Sequence, residues 1–238
     1  MIHSQTFTLT DMEVDRFGRL KLSALLYFAQ EVAGRHCIAL GADYDTLAKK
    51  QLFWAVTRHR VQITRLPVRG ETITVETWPM PTTRVAYPRS MVAYDAEGNE
   101  LFRSISLWVL MNAETRAMVL PGRSGVDVEG TLLGSELAVP HSLVPAASDR
   151  WARRTVTYSC LDRNGHMNNT RYADLMWDFM PAVWQDREPV DVQLHFAGES
   201  RMGDTLSLCA SMESIDAVCV AGDTDRGRTF AARITFRD

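Results

Sequence analysis

The chain has 238 residues, 46% of them hydrophobic, and a formal net charge of −3. That supports one large or two small cored domains and excludes a disordered or fibrous chain. The slightly acidic balance excludes a global basic field for nucleic acid. No apolar run approaches the length of a bilayer span, and Met1 to Thr6 lacks the charged stretch and apolar run of a secretory leader. The four cysteines, Cys37, Cys160, Cys209 and Cys219, form no CxxC pair. A reduced, cytoplasmic compartment is therefore expected, with each thiol a small core residue.

In chain order, the first marked feature is residues 14–20, Val-Asp-Arg-Phe-Gly-Arg-Leu. A helical period follows, with Leu22, Leu25, Leu26, Ala29 and Ala33 on one face. Alternating patterns then predict strands over roughly 53–66 and 71–79, joined by a turn at Gly70-Glu71-Thr72. Asp95 to Asn99 is a turn between two longer strand-like runs. Residues 121–149 lose periodicity and are rich in Pro and Gly, which marks a linker.

The same series then recurs. Residues 161–167 read Leu-Asp-Arg-Asn-Gly-His-Met, and Tyr172, Leu175, Met176 and Phe179 give a second helical stripe that Pro181 ends. Strands follow over roughly 190–198 and 204–212, with a turn at Gly203-Asp204-Thr205 between them and another at 223–227. The chain thus reads as an α+β protein built twice from one unit, a helix across a curved antiparallel sheet. The expected partition is 1–130, a linker over 131–148, and 149–238.

The two copies differ at concerted positions. Asp15 matches Asp162, but Phe17 stands opposite Asn164, Arg19 opposite His166, and Leu66 opposite Glu199 when the Gly-acid-Thr turns are aligned. The second half therefore holds a carboxylate, an amide, an imidazole and a second carboxylate where the first holds packing residues and bulk charge. If 162–166 is extended, Asp162, Asn164 and His166 share one face. Asn168 or Asn169 is placed to cap the following helix, whose N-terminus suits a developing oxyanion. The combination fits acyl hydrolysis, which needs an activated water and donors for the oxyanion. One half would carry chemistry while the other binds an apolar substrate.

These residues resemble the acyl-ACP thioesterases of plants and bacteria. Asp162-x-Asn164-x-His166-Met167-Asn168-Asn169-x-x-Tyr172 is similar to that family's D-x-N-x-H-[VM]-N-N-x-x-Y loop. Trp54-Ala55-Val56-Thr57-Arg58 resembles its W-x-V-T-R strand, and Gly70-Glu71 with Glu76-Thr77-Trp78 its G-[DE]…[DE]-T-W strand. The resemblance runs from about Phe7 to about Phe236. It implies a double hotdog and hydrolysis of fatty acyl-ACP to free fatty acid. It also implies Asp162, Asn164, His166 and Glu199 as catalytic residues. Some members carry Cys after that glutamate; Ser200 stands here, so a cysteine nucleophile is not implied. No plastid-targeting stretch is read at the start, and a bacterial-type member is expected.

Asn168 and Trp54 are the candidates for substrate contact. An apolar tunnel for the acyl chain is expected between helix and sheet of the first half, near Leu25, Leu26 and Ala29. The expected partner is acyl carrier protein, an acidic protein for which Arg58, Arg60, Arg150, Arg153 and Arg154 are candidate docking residues. A monomer with pseudo-dimeric halves or a homodimer is expected. No cofactor or metal is implied: the six histidines do not cluster with carboxylates at ligand spacing, and there is no dinucleotide fingerprint or G-x-S-x-G elbow. An acyl-CoA thioesterase, a hotdog dehydratase acting on 3-hydroxyacyl thioesters and a non-catalytic acyl-binding protein stand as alternatives.

Overall fold

A computed structural model describes residues 1–145 and 150–237, with no account of the Arg150 and Trp151 side chains. Residues 146–148 of the expected linker thus lie outside the described residues, as does the side chain of the docking candidate Arg150. The chain divides into two compact units, Met1–Pro140 and His141–Asp238.

In the first unit, β1 (His3–Thr8) leads through a tight turn to α1 (Leu22–Ala39) and the short α2 (Tyr44–Ala48). Then come β2 (Leu52–Ile63), β3 (Thr72–Pro79), β4 (Tyr87–Tyr94), β5 (Glu100–Asn112), β6 (Met118–Val119) and a single helical turn, α3 (Pro121–Ser124). The sheet order is β1-β3-β4-β5-β2, with β6 hairpinned onto β5, and every described pairing is antiparallel. The helical stripe is the one read from the period: Leu22, Leu25, Leu26 and Ala33 are buried along α1, together with Phe28, Val32 and His36. Ala29 is half-buried. Phe28 stacks on Phe7 of β1 with ring centroids 4.3 Å apart, which fixes the helix over that strand. Residues 131–140, expected in the linker, run against this unit. The Thr131 N–H donates to the Pro79 carbonyl, Trp78 Nε1 donates to Glu136 at 3.2 Å, and Arg58 donates to the Pro140 carbonyl at 3.2 Å.

The second unit repeats the plan. After β7 (Arg150–Thr155) and a 3₁₀ turn at Tyr158–Cys160 come α4 (Asn169–Phe179), α5 (Ala182–Gln185), β8 (Pro189–Phe196), β9 (Thr205–Ser214), β10 (Ala217–Thr224) and β11 (Gly227–Phe236). The sheet order is β8-β11-β10-β9-β7. Substituting β1, β3, β4, β5 and β2 for β7, β9, β10, β11 and β8 reproduces the order of the first unit. On α4, Tyr172, Leu175, Met176 and Phe179 are buried, and the Tyr172 ring meets Phe196 and Phe230 of the sheet. Met180 leaves the helical region at the residue before Pro181, as steric conflict with a proline ring requires.

The duplication extends to single hydrogen bonds. Leu20 N–H donates to Pro67 O in one unit, and Met167 N–H to Ser200 O in the other. The turns of Gly70 and Gly203, both at positive φ, return to Leu9 and Val156 respectively. No helix among the described residues is long and apolar enough to cross a membrane.

Candidate active site

The loop between the 3₁₀ turn and α4 is held by its own sequence. Gly165 sits at φ +77, a left-handed conformation that glycine adopts without strain. The Asp162 N–H donates to His166 O, closing the turn at 2.7 Å, and Gly165 N–H donates to Asp162 O. The Asp162 carboxylate then accepts from the backbone N–H groups of Asn164 (2.8 Å) and His166 (3.2 Å). The segment is therefore a reversed turn rather than an extended stretch with one shared face, because Gly165 and the Asp162 carboxylate together fold it back.

The first unit carries the same device. Asp15 accepts from the N–H groups of Phe17 (2.8 Å) and Arg19 (2.9 Å), with Gly18 at φ +75. A third copy forms the β4–β5 hairpin tip, where Asp95 accepts from Glu97 and Asn99 and Gly98 is at φ +84. The D-x-x-G-x pattern is thus a turn-former, and what distinguishes the second unit is the side chains mounted on it.

One strand of contacts ties that turn to the segment before β9. His166 and Arg201 form an isolated antiparallel bridge, matched in the first unit by Arg19 and Val68. This equivalence independently puts Leu66 opposite Glu199. The bridge brings the His166 imidazole to Glu199, with Nε2 and Oε2 3.2 Å apart. The imidazole is 14% exposed and the carboxylate 35%, so the pair is sheltered but reachable. Arg201 flanks the same carboxylate at 3.7 Å. The Asn164 amide lies toward Asp162, with Nδ2 and Oδ2 3.5 Å apart. In the first unit the equivalent Arg19 folds back onto Asp15 at 3.1 Å and stacks on Phe17, and no pair of this kind forms with Leu66.

Glu199 is braced from three sides. Ser200, fully buried, accepts a hydrogen bond from the Tyr172 hydroxyl of α4 at 2.8 Å. Burial raises the Tyr172 phenol above its ordinary range, so it stays a donor. Asp204 accepts from the Arg201 N–H at 2.6 Å and is paired by Arg226, whose hydrogen bond holds the Asp204 carboxyl low. Arg226 also reaches the Glu199 carbonyl at 3.5 Å. An open surface pocket lies here, lined by Glu199, Arg201, Arg226 and Arg228 among others.

Asn168 is the N-cap of α4: its side-chain oxygen accepts from the N–H and the hydroxyl of Thr170, both at 2.9 Å. Its counterpart Lys21 gives α1 no side-chain cap. Trp54 belongs to the first unit, where Nε1 donates to the Ala42 carbonyl at 2.8 Å and the indole meets Tyr87 edge-on. Both polar groups are thus engaged within their own units. Sequence alone assigns the buried Tyr172–Ser200 brace no role; its signal is Tyr172 at the end of the loop motif, where the first unit has Leu25.

The acyl-ACP thioesterase N-terminal domain model matches residues 1–120, and the C-terminal domain model matches residues 146–236. A palmitoyl-acyl carrier protein thioesterase of Gossypium hirsutum is 28% identical over 76% of this chain and 48% of its own length. An acyl-[acyl-carrier-protein] hydrolase of Cuphea viscosissima is 25% identical over 88% of this chain and 54% of its own. The chain thus spans about half the length of the curated relatives it matches. Among solved structures, an acyl-ACP thioesterase from Bacteroides thetaiotaomicron superposes with a TM-score of 0.89 at 25% identity, covering 99% of this chain and 98% of the other. The 12:0-ACP thioesterase of Umbellularia californica, at 22% identity and a TM-score of 0.85, shares the fold over 99% of this chain and 97% of its own. With two tandem hotdog units and a family model on each, the chain belongs to the acyl-ACP thioesterase family.

Proposed function

We propose that the chain hydrolyses fatty acyl-ACP thioesters to free fatty acid and acyl carrier protein, with the second unit as the catalytic half. The observation that carries this is the His166–Glu199 pair at 3.2 Å, mounted on a turn that the first unit copies without it. In this reading the pair takes a proton from a water whose oxygen attacks the thioester carbonyl carbon. Asn164 and the start of α4 stabilise the oxyanion. Collapse of the intermediate breaks the C–S bond, and the leaving thiolate takes the proton from the imidazolium. Asp162 acts as a positioning residue, since its carboxylate already accepts from the N–H groups that hold Asn164 and His166 in place. Asn168 supports the same region as the helix cap, and Trp54 lines the acyl-holding unit through its packing.

The carrier is read from charge. Arg153 and Arg154 are exposed on β7, the edge strand of the second unit, and would meet an acidic partner. Arg58 and Arg60 are half-buried, and Arg58 is engaged with the Pro140 carbonyl.

The test is thiol release from a panel of acyl-ACPs and matching acyl-CoAs, with His166→Ala alongside. Faster turnover of ACP substrates and an inactive variant support the proposal. Turnover of CoA substrates alone moves the carrier to CoA. No hydrolysis of any thioester removes the thioesterase assignment in favour of dehydration or acyl binding.

A further inference from the structure

The two units pair the same acid in different ways. In the first, the N–H groups of Thr64 and Arg65 both donate to the Leu101 carbonyl, at 2.9 and 3.0 Å; in the second, those of Ala197 and Gly198 both donate to the Thr229 carbonyl, at 2.8 and 3.1 Å. Arg65 and Gly198 therefore hold one position of the repeated backbone, directly before Leu66 and Glu199. Glu71 accepts the Val68 N–H at 2.9 Å and Asp204 accepts the Arg201 N–H at 2.6 Å, so these acids correspond as well. Arg65 pairs with Glu71 at 2.6 Å from within its own segment. Gly198 has no side chain to do this, and Arg226 at the tip between β10 and β11 pairs with Asp204 instead. The second unit thus keeps the ion pair but brings its cation from another strand. The open pocket lies at the position the arginine gave up, with Gly198 and Glu199 in its wall.

The walls of this pocket come only from residues 198–201 and 224–229. No residue of the turn at 162–166 or of α4 takes part, so the pocket is distinct from the place where Asn164 and the helix start would hold the thioester carbonyl. Glu199 is shared, meeting His166 at 3.2 Å and lining the pocket. No aliphatic or aromatic side chain lines it, so an acyl chain has nothing apolar to bury there. The cations of the wall are already paired: Arg226 with Asp204, Arg228 with Asp223, and Arg201 with Glu199 at 3.7 Å. With its charge compensated, the pocket suits a small, neutral, polar occupant that can both donate and accept, which is water.

We propose that this pocket is the solvent port of the catalytic pair, the route by which the water consumed in each hydrolysis reaches Glu199 while bound acyl-ACP covers the thioester side. This rests on the reading of the second unit as the catalytic half of a thioesterase. Every turnover uses one water, and the substrate arrives with a whole protein attached. A separate polar route lets that water be replaced without passing the substrate. The reaction itself is unchanged: the pair takes the proton, and the water oxygen attacks the carbonyl carbon. Gly198 is the port residue. A methyl added there would lie 3.0 Å from the Arg228 carbonyl oxygen, so any side chain at this position crowds the passage. Thr224 narrows it from the other wall.

The experiment fills the pocket from each wall with a neutral side chain, Gly198→Leu and Thr224→Leu, and melting curves report whether each variant is folded. Each is expected to lower kcat on acyl-ACP by about 10-fold or more, a part of the 10²–10⁴ a general base contributes, with KM little changed. Access is read separately by labelling carboxylates with a water-soluble carbodiimide and glycinamide, followed by peptide mass spectrometry. Glu199 should be labelled in the parent and lose its label in both variants, while the exposed Glu97 keeps its own. Retained kcat in a folded variant that has lost the Glu199 label overturns the inference, and so does a Glu199 label that survives both substitutions. A rise in KM with kcat intact would make the pocket part of the substrate path and overturns it too. If the parent hydrolyses no thioester, the thioesterase reading fails on its own, and the labelling still decides whether this pocket is the way to Glu199.

Discussion

The Asp162 carboxylate accepts the backbone N–H of His166 at 3.2 Å, and Asp95 does the same for Asn99 at 2.8 Å at a hairpin tip remote in sequence. One turn chemistry thus serves both a plain reversal and the candidate catalytic loop. Asp162→Asn keeps an acceptor oxygen in that position, whereas Asp162→Ala removes it. Asparagine is expected to retain turnover within about 10-fold, and alanine to lose roughly 100-fold or more with a stability cost of roughly 1–2 kcal/mol. Steady-state rates and melting of the two variants check this. An inactive, fully folded Asp162→Asn enzyme would instead assign Asp162 a direct chemical step.

The pair His166 and Glu199 carries the next expectation. The turn is closed by backbone bonds and the Asp162 carboxylate, so His166→Ala and Glu199→Gln should fold with near-parental melting temperatures. Each should lower kcat by about 10²–10⁴, the range of a general base. Single-turnover rates on a saturating acyl-ACP measure the loss directly. Retained kcat in both variants would move the base elsewhere.

Much of this arrangement was legible in the sequence because it obeys simple periods. The α1 and α4 stripes follow the helical repeat, and the aligned Gly70 and Gly203 turns put Glu199 opposite Leu66, which the His166–Arg201 and Arg19–Val68 bridges reproduce. The shape of the loop was not legible, because a side-chain alternation argument holds only for extended backbone, and Gly165 with Asp162 reverses it. The polar row of Arg89, Ser106 and His59, aligned across β4, β5 and β2 within the otherwise apolar core of the first unit, was also hidden. Arg89, Ser106 and His59 are far apart in sequence, and a polar residue in an alternating strand reads as outward-facing until the register aligns the three. Tyr172 and Ser200 are 28 residues apart, and only packing reveals that they meet.

That contact gives a testable coupling. Ser200 is fully buried and adjacent to Glu199, so Tyr172→Phe removes its donor, and Ser200→Ala leaves the Tyr172 hydroxyl unsatisfied. Each single change should cost about 1–2 kcal/mol and lower kcat more than it raises KM, because the Glu199 backbone loses a brace. The double variant should cost clearly less than the sum. Denaturant titrations around the cycle measure the coupling, and strict additivity would remove the brace from the account.

Burial of two histidines predicts an acid limb. Desolvation pushes His59 down to about 4, and desolvation with Arg89 nearby does the same to His36. Both are below the ordinary 6.5, so between these limits the unfolded chain binds more protons than the folded one. Stability therefore rises with pH across this window and falls as the pH drops from about 6.5 to about 4. Glu71 and Asp204, held low by Arg65 and Arg226, lose their contribution only at still lower pH. For His59 the loss is on the order of 2–3 kcal/mol. Urea titrations from pH 7 to pH 4 should show a shallower decline in His59→Leu than in the parent, and an identical decline would mean that His59 is already protonated or exposed in the folded state.

The carrier assignment is tested on β7. Arg153 and Arg154 are exposed on the edge strand of the second unit, and Arg154 Nη1 donates only to the neighbouring Arg153 carbonyl at 3.0 Å among its described bonds. Their charge is thus available to a partner rather than spent on an internal carboxylate. Charge pairing at a solvated rim acts mainly on encounter and is screened by salt, with a Debye length of about 8 Å at physiological ionic strength. The double reversal Arg153→Glu with Arg154→Glu is expected to raise KM for acyl-ACP by roughly 5- to 50-fold at low salt, with the difference shrinking as salt is added and kcat little changed. The same acyl group on pantetheine, which lacks the acidic protein, should show no difference between parent and variant. An equal KM effect on both substrates would place these arginines in the fold or the acyl path, and no effect on either would remove β7 from the docking surface.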